Sequence, residues 1–377
     1  MDKSIPDTAY TARLRGIAPR TEQLCVRIGQ PSEFPSDATE LALPDVASAA
    51  VLVAQHRPEV VALLQERQSQ LLEQFGADAE ARLAKMRGAM LLGLARMGVR
   101  HGSWGEDFHA YHNENHALEL FDGRLGRLMA CAGLGALELD DWIALSLFCC
   151  CHDLRQREAV DFSDPVGRNE AASIAETWRI LELAGFDAVA DRGLFVALQL
   201  MIAGSTFDAR PAPPNPAEAV STSGPLAPRL EALLDEREPG WRADAAAVDG
   251  VRLAQLASDL DTANVGEPLV WLAESASRLC QEREMRSGRT LDSAESAMPC
   301  LSFLSNGQER YFFELHRFCS DLGRATFEAV KTRNGPAVRE LAERLRVRFA
   351  DKAPGSGLEV LRAFSDQALA LMEQGHA

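Results

Sequence analysis

One stretch constrains this chain more than any other: the apolar run Trp142 to Cys151, which ends in His152-Asp153. Its apolar residues and three consecutive cysteines read as a buried helical segment rather than a disulfide framework. Such a helix carries an imidazole and a carboxylate to its buried end. Burying that pair costs free energy unless a partner compensates it. A metal ion is one such partner, and a His–Asp hydrogen bond in the core is the alternative.

The rest of the chain supports a helical context. Ala, Leu, Glu and Arg dominate, β-branched runs are few and aromatics make up only 6% of residues, so the expected fold class is an all-α bundle. With 377 residues the chain can form one large helical domain, or a catalytic domain with a smaller N-terminal cap. Residues 1–100 read as an N-terminal arm and helical extension, 101–335 as the catalytic helical domain, and 336–377 as C-terminal helices packing on the bundle. A helix is expected over Asp78 to Met97 with Asp78 as its N-cap, and another over Trp142 to Leu154 capped by Asp140. Gly185 is expected to close a helix that begins near Arg168. Residues 210–228 contain six prolines, which no helix tolerates. That segment reads as a loop at the mouth of a site or as a solvated linker.

The net charge of −16 repels a phosphate backbone and argues against nucleic acid as a partner. It leaves room for a small anionic substrate, because a divalent metal can supply local positive charge. The run Trp142 to Cys151 is about half of the roughly 20 residues that span a bilayer, so no membrane partner is expected. No CxxC pair occurs and the first twenty residues lack an apolar signal stretch; the reading is a reduced, cytoplasmic protein.

Four of the eight histidines, His101, His109, His112 and His116, fall within sixteen positions. If Tyr111-His112-Asn113-Glu114-Asn115-His116-Ala117 begins a helix, His112 and His116 project from one face, the spacing by which a helix offers two imidazoles to one site. Two exposed histidines on a polar face are the alternative. Further along, Ser258-Asp259-Leu260-Asp261 places two carboxylates in an otherwise buried helical stretch. Asp259 falls on the apolar side and is the expected ligand; Asp261 reads as a surface or capping residue.

Together these pieces resemble the metal-dependent phosphohydrolases of the HD superfamily, whose ligand order is H…HD…D. Tyr111 to Ala117 resembles the YHNxxHA motif of class I cyclic-nucleotide phosphodiesterases, and the separation of His116 from His152-Asp153 is similar to theirs. The likeness runs from about Phe108 to Phe318. It implies His116, His152, Asp153 and Asp259 as metal ligands and His112 as general acid. It also implies Zn, Fe or Mn at a tighter site and Mg or Mn at a second one. Tyr111, Asn113, Gln156, Glu170, Glu176 and Thr206 are the implied neighbours of the metals or substrate, with Glu170 and Glu176 both open as the supporting carboxylate. Gln308 would read a base and Tyr311 stack on it.

Gln156 stands where the family usually has a histidine, which bears on the second metal. The implied activity is hydrolysis of a nucleotide phosphate ester, foremost a 3',5'-cyclic nucleotide, by a metal-activated hydroxide. A phosphomonoesterase or pyrophosphohydrolase, or a nucleotide-sensing domain without turnover, are the alternatives, and a homo-oligomer is compatible with any of them. No histidine lies between Asp153 and Leu315, which disfavours the histidine-rich oxygenases of the same superfamily. The absence of a GYP element after His152-Asp153 disfavours its cyclic-di-GMP phosphodiesterases.

Overall fold

The chain is all-α in the computed structural model, which describes residues 27–31, 33–158, 166–208 and 224–374. The longer helices, in chain order, begin with α1 (Val46–His56), α2 (Pro58–Phe75) and α3 (Glu80–Arg100). The short α4 (Glu114–Leu118) precedes α5 (Leu139–Cys151), α6 (Arg168–Leu183), α7 (Arg192–Ser205) and α8 (Ala245–Asp261). The last are α9 (Leu269–Arg286), α10 (Ala329–Arg348) and α11 (Gly357–Glu373). Among the described residues the only sheet is a two-residue antiparallel ladder, Phe207 opposite Pro225 and Asp208 opposite Gly224. Of the proline-rich stretch 210–228, residues 210–223 lie outside the described residues.

Local sequence explains several boundaries, and corrects two. The helix expected from Asp78 begins at Glu80, because Ala77–Ala79 forms a 3-10 turn after Gly76 at φ +84°. Glu138, not Asp140, is the N-cap of α5, and its backbone N–H donates to Asp141 at 3.3 Å. Asp140 instead pairs with Arg82. Gly185 closes α6 as expected: at φ +90° it and Phe186 donate back to Glu182 O and Leu181 O, each at 3.0 Å.

Two compact units divide the chain. The first takes Met1–Val99 and Leu134–Ser258, the second Arg100–Gly133 and Asp259–Ala377. In the first unit, every residue of α5 from Asp141 to Cys151 is buried. Burial of side chains such as Leu145, Leu147 and Phe148 stabilises the unit by about 1.5–3 kcal/mol each. Gly93 lets α3 approach α5 closely, since a Cβ there would lie 2.9 Å from Cys150 O. Arg96, buried on α3, donates to Leu43 O and faces Glu40 at 3.4 Å and Glu176 at 3.3 Å. Arg155 joins the same group through Glu40 at 3.1 Å and Glu176 at 3.7 Å.

The second unit packs α9, α10 and α11 together with the segments around α4. A wide helical turn, Glu119–Leu125, follows α4 and buries Arg124. The Arg124 guanidinium pairs with Glu267 at 2.9 Å and donates to Leu260 O and Asp261 O. Arg127 donates to Gly266 O and Thr326 O. These two arginines fix the turn after α8, and with it the backbone of Asp261.

Candidate metal ligands and a histidine–carboxylate cluster

In the first unit, the polar end of α5 is built as its sequence suggests. His152 follows the helix directly; its ring stacks on Phe148 with centroids 4.6 Å apart, and its Nδ1 lies 3.1 Å from Phe148 O. That contact suits an Nδ1–H donor, which leaves Nε2 the lone-pair nitrogen. Nε2 is 2.9 Å from an Asp153 oxygen. Gln156 donates to the other Asp153 oxygen at 2.8 Å and accepts from Asn169 at 3.4 Å. Gln156 therefore orients the carboxylate.

Glu176 and Glu170, both open as the supporting carboxylate, sit in different surroundings. Glu176 is fully buried on α6 and faces Arg96 and Arg155, so its charge balances two interior guanidiniums. Glu170 is half-buried in the first turn of α6. Thr206 ends α7, with its side chain buried and its carbonyl accepting from Leu226 N at 2.9 Å.

In the second unit, α4 begins at Glu114, so His112 lies before the helix and does not share a helix face with His116. Asn113 caps α4: its side-chain oxygen accepts from Asn115 N and His116 N, and its NH2 donates to His109 O at 2.6 Å. This places a buried His116 on the first turn with the Tyr111 ring 4.5 Å away, centroid to centroid. His112 is held from outside the motif. Glu282 of α9 lies 2.6 Å from His112 Nδ1 and 3.2 Å from His109 Nδ1, and it accepts the backbone N–H groups of Tyr111 and His112. Burial raises the Glu282 pKa, but the His112 and His109 rings beside it win and hold the carboxyl far below the ordinary range.

The two aspartates of α8 have different surroundings. Asp259 is buried, but its carboxylate accepts from Cys319 N at 2.6 Å, Ser320 N at 2.8 Å and Ser320 Oγ at 2.6 Å. It ties the 319–320 turn to the helix, and burial pushes its pKa up to about 6. Asp261, partly exposed, comes within 3.4 Å of His116 Nε2. Within this unit the carboxylate brought to His116 is thus Asp261, while Asp259 is engaged with the 319–320 turn.

Gln308 is buried, while Tyr311 is half-buried with its ring edge-on to His316 and its hydroxyl 3.4 Å from Asn264. His316 is buried between Thr262 Oγ1 and Lys331 Nζ, both at 3.1 Å.

Sequence reasoning gave His101 and His109 no role. The two rings lie 4.2 Å apart, both buried, and face the partly exposed Asp107. Burial and the like charge of His109 bring the His101 pKa down to about 3. His101, Asp107 and His109 form a group able to hold a metal ion. The clustering of four histidines was the available signal, but nothing local pointed to Glu282 as the carboxylate that organises it.

Among the described residues no helix is long and apolar enough to cross a membrane, and no cysteine forms a disulfide. Comparison with protein-family models and with curated proteins finds no match for this chain.

Proposed function

We propose that the chain is a metal-dependent phosphohydrolase acting on a small nucleotide, foremost a 3',5'-cyclic nucleotide, in a reducing cytoplasmic setting. The observation that carries this reading is Glu282 fixed against His112, beside a buried His116 that faces Asp261. An imidazole held by a buried carboxylate is suited to give up a proton to a leaving alkoxide. The resemblance supplies His116, His152 and Asp153 as proposed metal ligands, and Asp261 is proposed with them in place of Asp259 because it lies beside His116 within the second unit. Two imidazoles and two carboxylates suit Zn, Fe or Mn, with Mg or Mn at any second, more hydrated position.

When bound, the metal supplies Lewis acidity at the phosphoryl oxygens and lowers the pKa of water. The protein's own groups account for the rest. Phe148 O sets the His152 tautomer, Gln156 orients Asp153, and Asn113 fixes the turn that carries His116. Water adds to phosphorus and releases one proton to solvent, the bond from phosphorus to the ester oxygen breaks, and that oxygen takes its proton from His112, which is reprotonated from solvent. Gln308 and Tyr311 remain the proposed base-recognition residues.

A second reading, hydrolysis of a phosphomonoester or pyrophosphate by a single-metal centre, draws on one observation. Gln156 amide nitrogen already engages an Asp153 oxygen where the family has a histidine.

The test is hydrolysis of cyclic AMP, cyclic GMP, linear nucleotides and pyrophosphates by protein reconstituted with Mn or Zn, beside an Asp153→Ala control. Turnover of a cyclic nucleotide that vanishes in the control supports the favoured reading. Turnover of the other esters alone transfers support to the second. No turnover of any of them, with metal bound, refutes both and leaves nucleotide sensing.

A further inference from the structure

The group His101, Asp107 and His109 is not used by the proposed reaction. All three residues belong to the second unit and sit in the non-helical segment between α3 and α4. Backbone hydrogen bonds arrange them before any ligand arrives. His109 N donates to His101 O at 2.8 Å, which clasps the segment where the two imidazoles emerge. Ser103 is anchored to Glu114 through its hydroxyl at 2.6 Å, and Asn113 grips His109 O at 2.6 Å.

The distances favour a shared cation over hydrogen bonding alone. One Asp107 oxygen lies 3.5 Å from His101 Nδ1 and 3.3 Å from His109 Nε2. The first is too long for a good hydrogen bond. Tetrahedral coordination with bonds of about 2.1 Å separates its donor atoms by about 3.4 Å, and both distances match that value. One donor atom from each residue lies within 4.8 Å of the others. The far nitrogen of His109, Nδ1, faces Glu282 at 3.2 Å. A ligating histidine commonly donates its other N–H to a carboxylate, which fixes the tautomer and strengthens the ligand. The imidazoles are buried, while Asp107 is 45% exposed and gives the group an open side.

We infer that His101 Nδ1, Asp107 and His109 Nε2 form a separate site for one zinc-class divalent cation, with water completing the coordination. The site does not depend on the phosphohydrolase reading. It meets the proposed acid at Glu282, which holds His109 and His112 at once. Two imidazoles and one carboxylate select zinc or cobalt over magnesium or calcium, which prefer all-oxygen sites.

The experiment titrates metal-free full-length protein with Co2+ and with Zn2+, following Co2+ absorption and counting equivalents by calorimetry. Both proteins compared carry Asp153→Ala, to remove the other proposed centre; one also carries Asp107→Asn. Asp107 is exposed enough that its replacement leaves the fold intact, which circular dichroism checks. The expected result is one fewer equivalent bound, or at least tenfold weaker binding, when Asp107 is replaced. In the Asp107-intact protein, 15N shifts of the His101 and His109 imidazoles also move on adding Zn2+. Equal binding by the two proteins, or histidine shifts that stay put, overturns the assignment.

Discussion

Replacing Asp259 and Asp261 one at a time tests whether Asp259 acts through its turn contacts and Asp261 as a proposed metal ligand. Asn at 259 keeps one accepting oxygen but turns an NH2 toward donors. With that oxygen at the Oδ2 position it retains the two hydrogen bonds from Ser320 N and Ser320 Oγ, and the NH2 then faces Cys319 N, whose hydrogen bond is lost. Hydrogen bonds to a charged group contribute about 1.5–3 kcal/mol each, and a buried donor left unsatisfied costs about 1–3 kcal/mol. Burial already disfavours the Asp259 charge, which offsets part of that loss. Asp259→Asn should therefore destabilise metal-free protein by about 2–4 kcal/mol, read as a shift of the urea midpoint. Its metal content after reconstitution should match the wild type. Asp261→Asn makes the opposite pattern: the metal-free protein shifts by less than about 1 kcal/mol, because this side chain is partly exposed. Its metal content should fall by one equivalent or its affinity by at least tenfold. If Asp259→Asn loses metal without losing stability, or Asp261→Asn keeps full metal content, the roles proposed for the two aspartates are wrong.

Three further outcomes follow from other contacts. Glu282→Gln keeps the acceptor for the Tyr111 and His112 backbone but removes the charge beside the His112 ring; kcat on a nucleotide ester should fall about 100-fold with KM little changed. A p-nitrophenyl phosphodiester, whose leaving group needs no proton, should lose much less, and an equal loss on both substrates would count against an acid role for His112. Glu176→Gln leaves Arg96 with Glu40 and Arg155 with Glu40, Glu158 and Asp37, and should cost about 3 kcal/mol, the low end for a broken buried pair, with metal content unchanged. A melting temperature equal to wild type would show that the network is dispensable. His316, lowered from 6.5 to about 3 by burial and by the Lys331 ammonium, resists protonation in the folded state. Its folded pKa lies below its unfolded one, so stability is full above pH 6.5 and is lost as pH falls toward 3, by about 5 kcal/mol in all. His316→Gln should flatten that part of the stability–pH curve, and an unchanged slope would refute the assignment.

The helical class was legible because it rests on local terms: propensity, the apolar run of α5, and glycine closures such as Gly185. Boundaries were less legible where two candidate caps stood close together. Glu138 precedes α5 and Asp140 falls in its first turn, and only the contact of Asp140 with Arg82, 58 residues away, shows that it is engaged elsewhere. The two compact units were not readable at all in a linear pass. Each is assembled from two separated stretches of chain, and composition along the sequence carries no mark of which stretches meet.

For the candidate site, the sequence identified residue types better than residue roles. Asp259 was chosen over Asp261 because it falls on the apolar side of α8, and it is indeed buried. Burial alone cannot tell a ligand from a carboxylate that caps a distant turn; here the deciding partner, Ser320, is 61 residues away. The spacing of His112 and His116 suggested one helix face, yet Asn113 starts the helix between them and leaves His112 to be positioned by Glu282, 170 residues on. Glu282 itself lies in the charged run Gln281 to Arg286, which a local reading assigns to solvent. Glu282 and Glu284 are nonetheless both buried, each beside a side chain of opposite charge or hydrogen-bonding capacity. Because an interior carboxylate is stable only with such partners, His109 and His112 do more than accompany Glu282. They supply the interactions that let it stay ionised, and it in turn fixes the orientation of both rings.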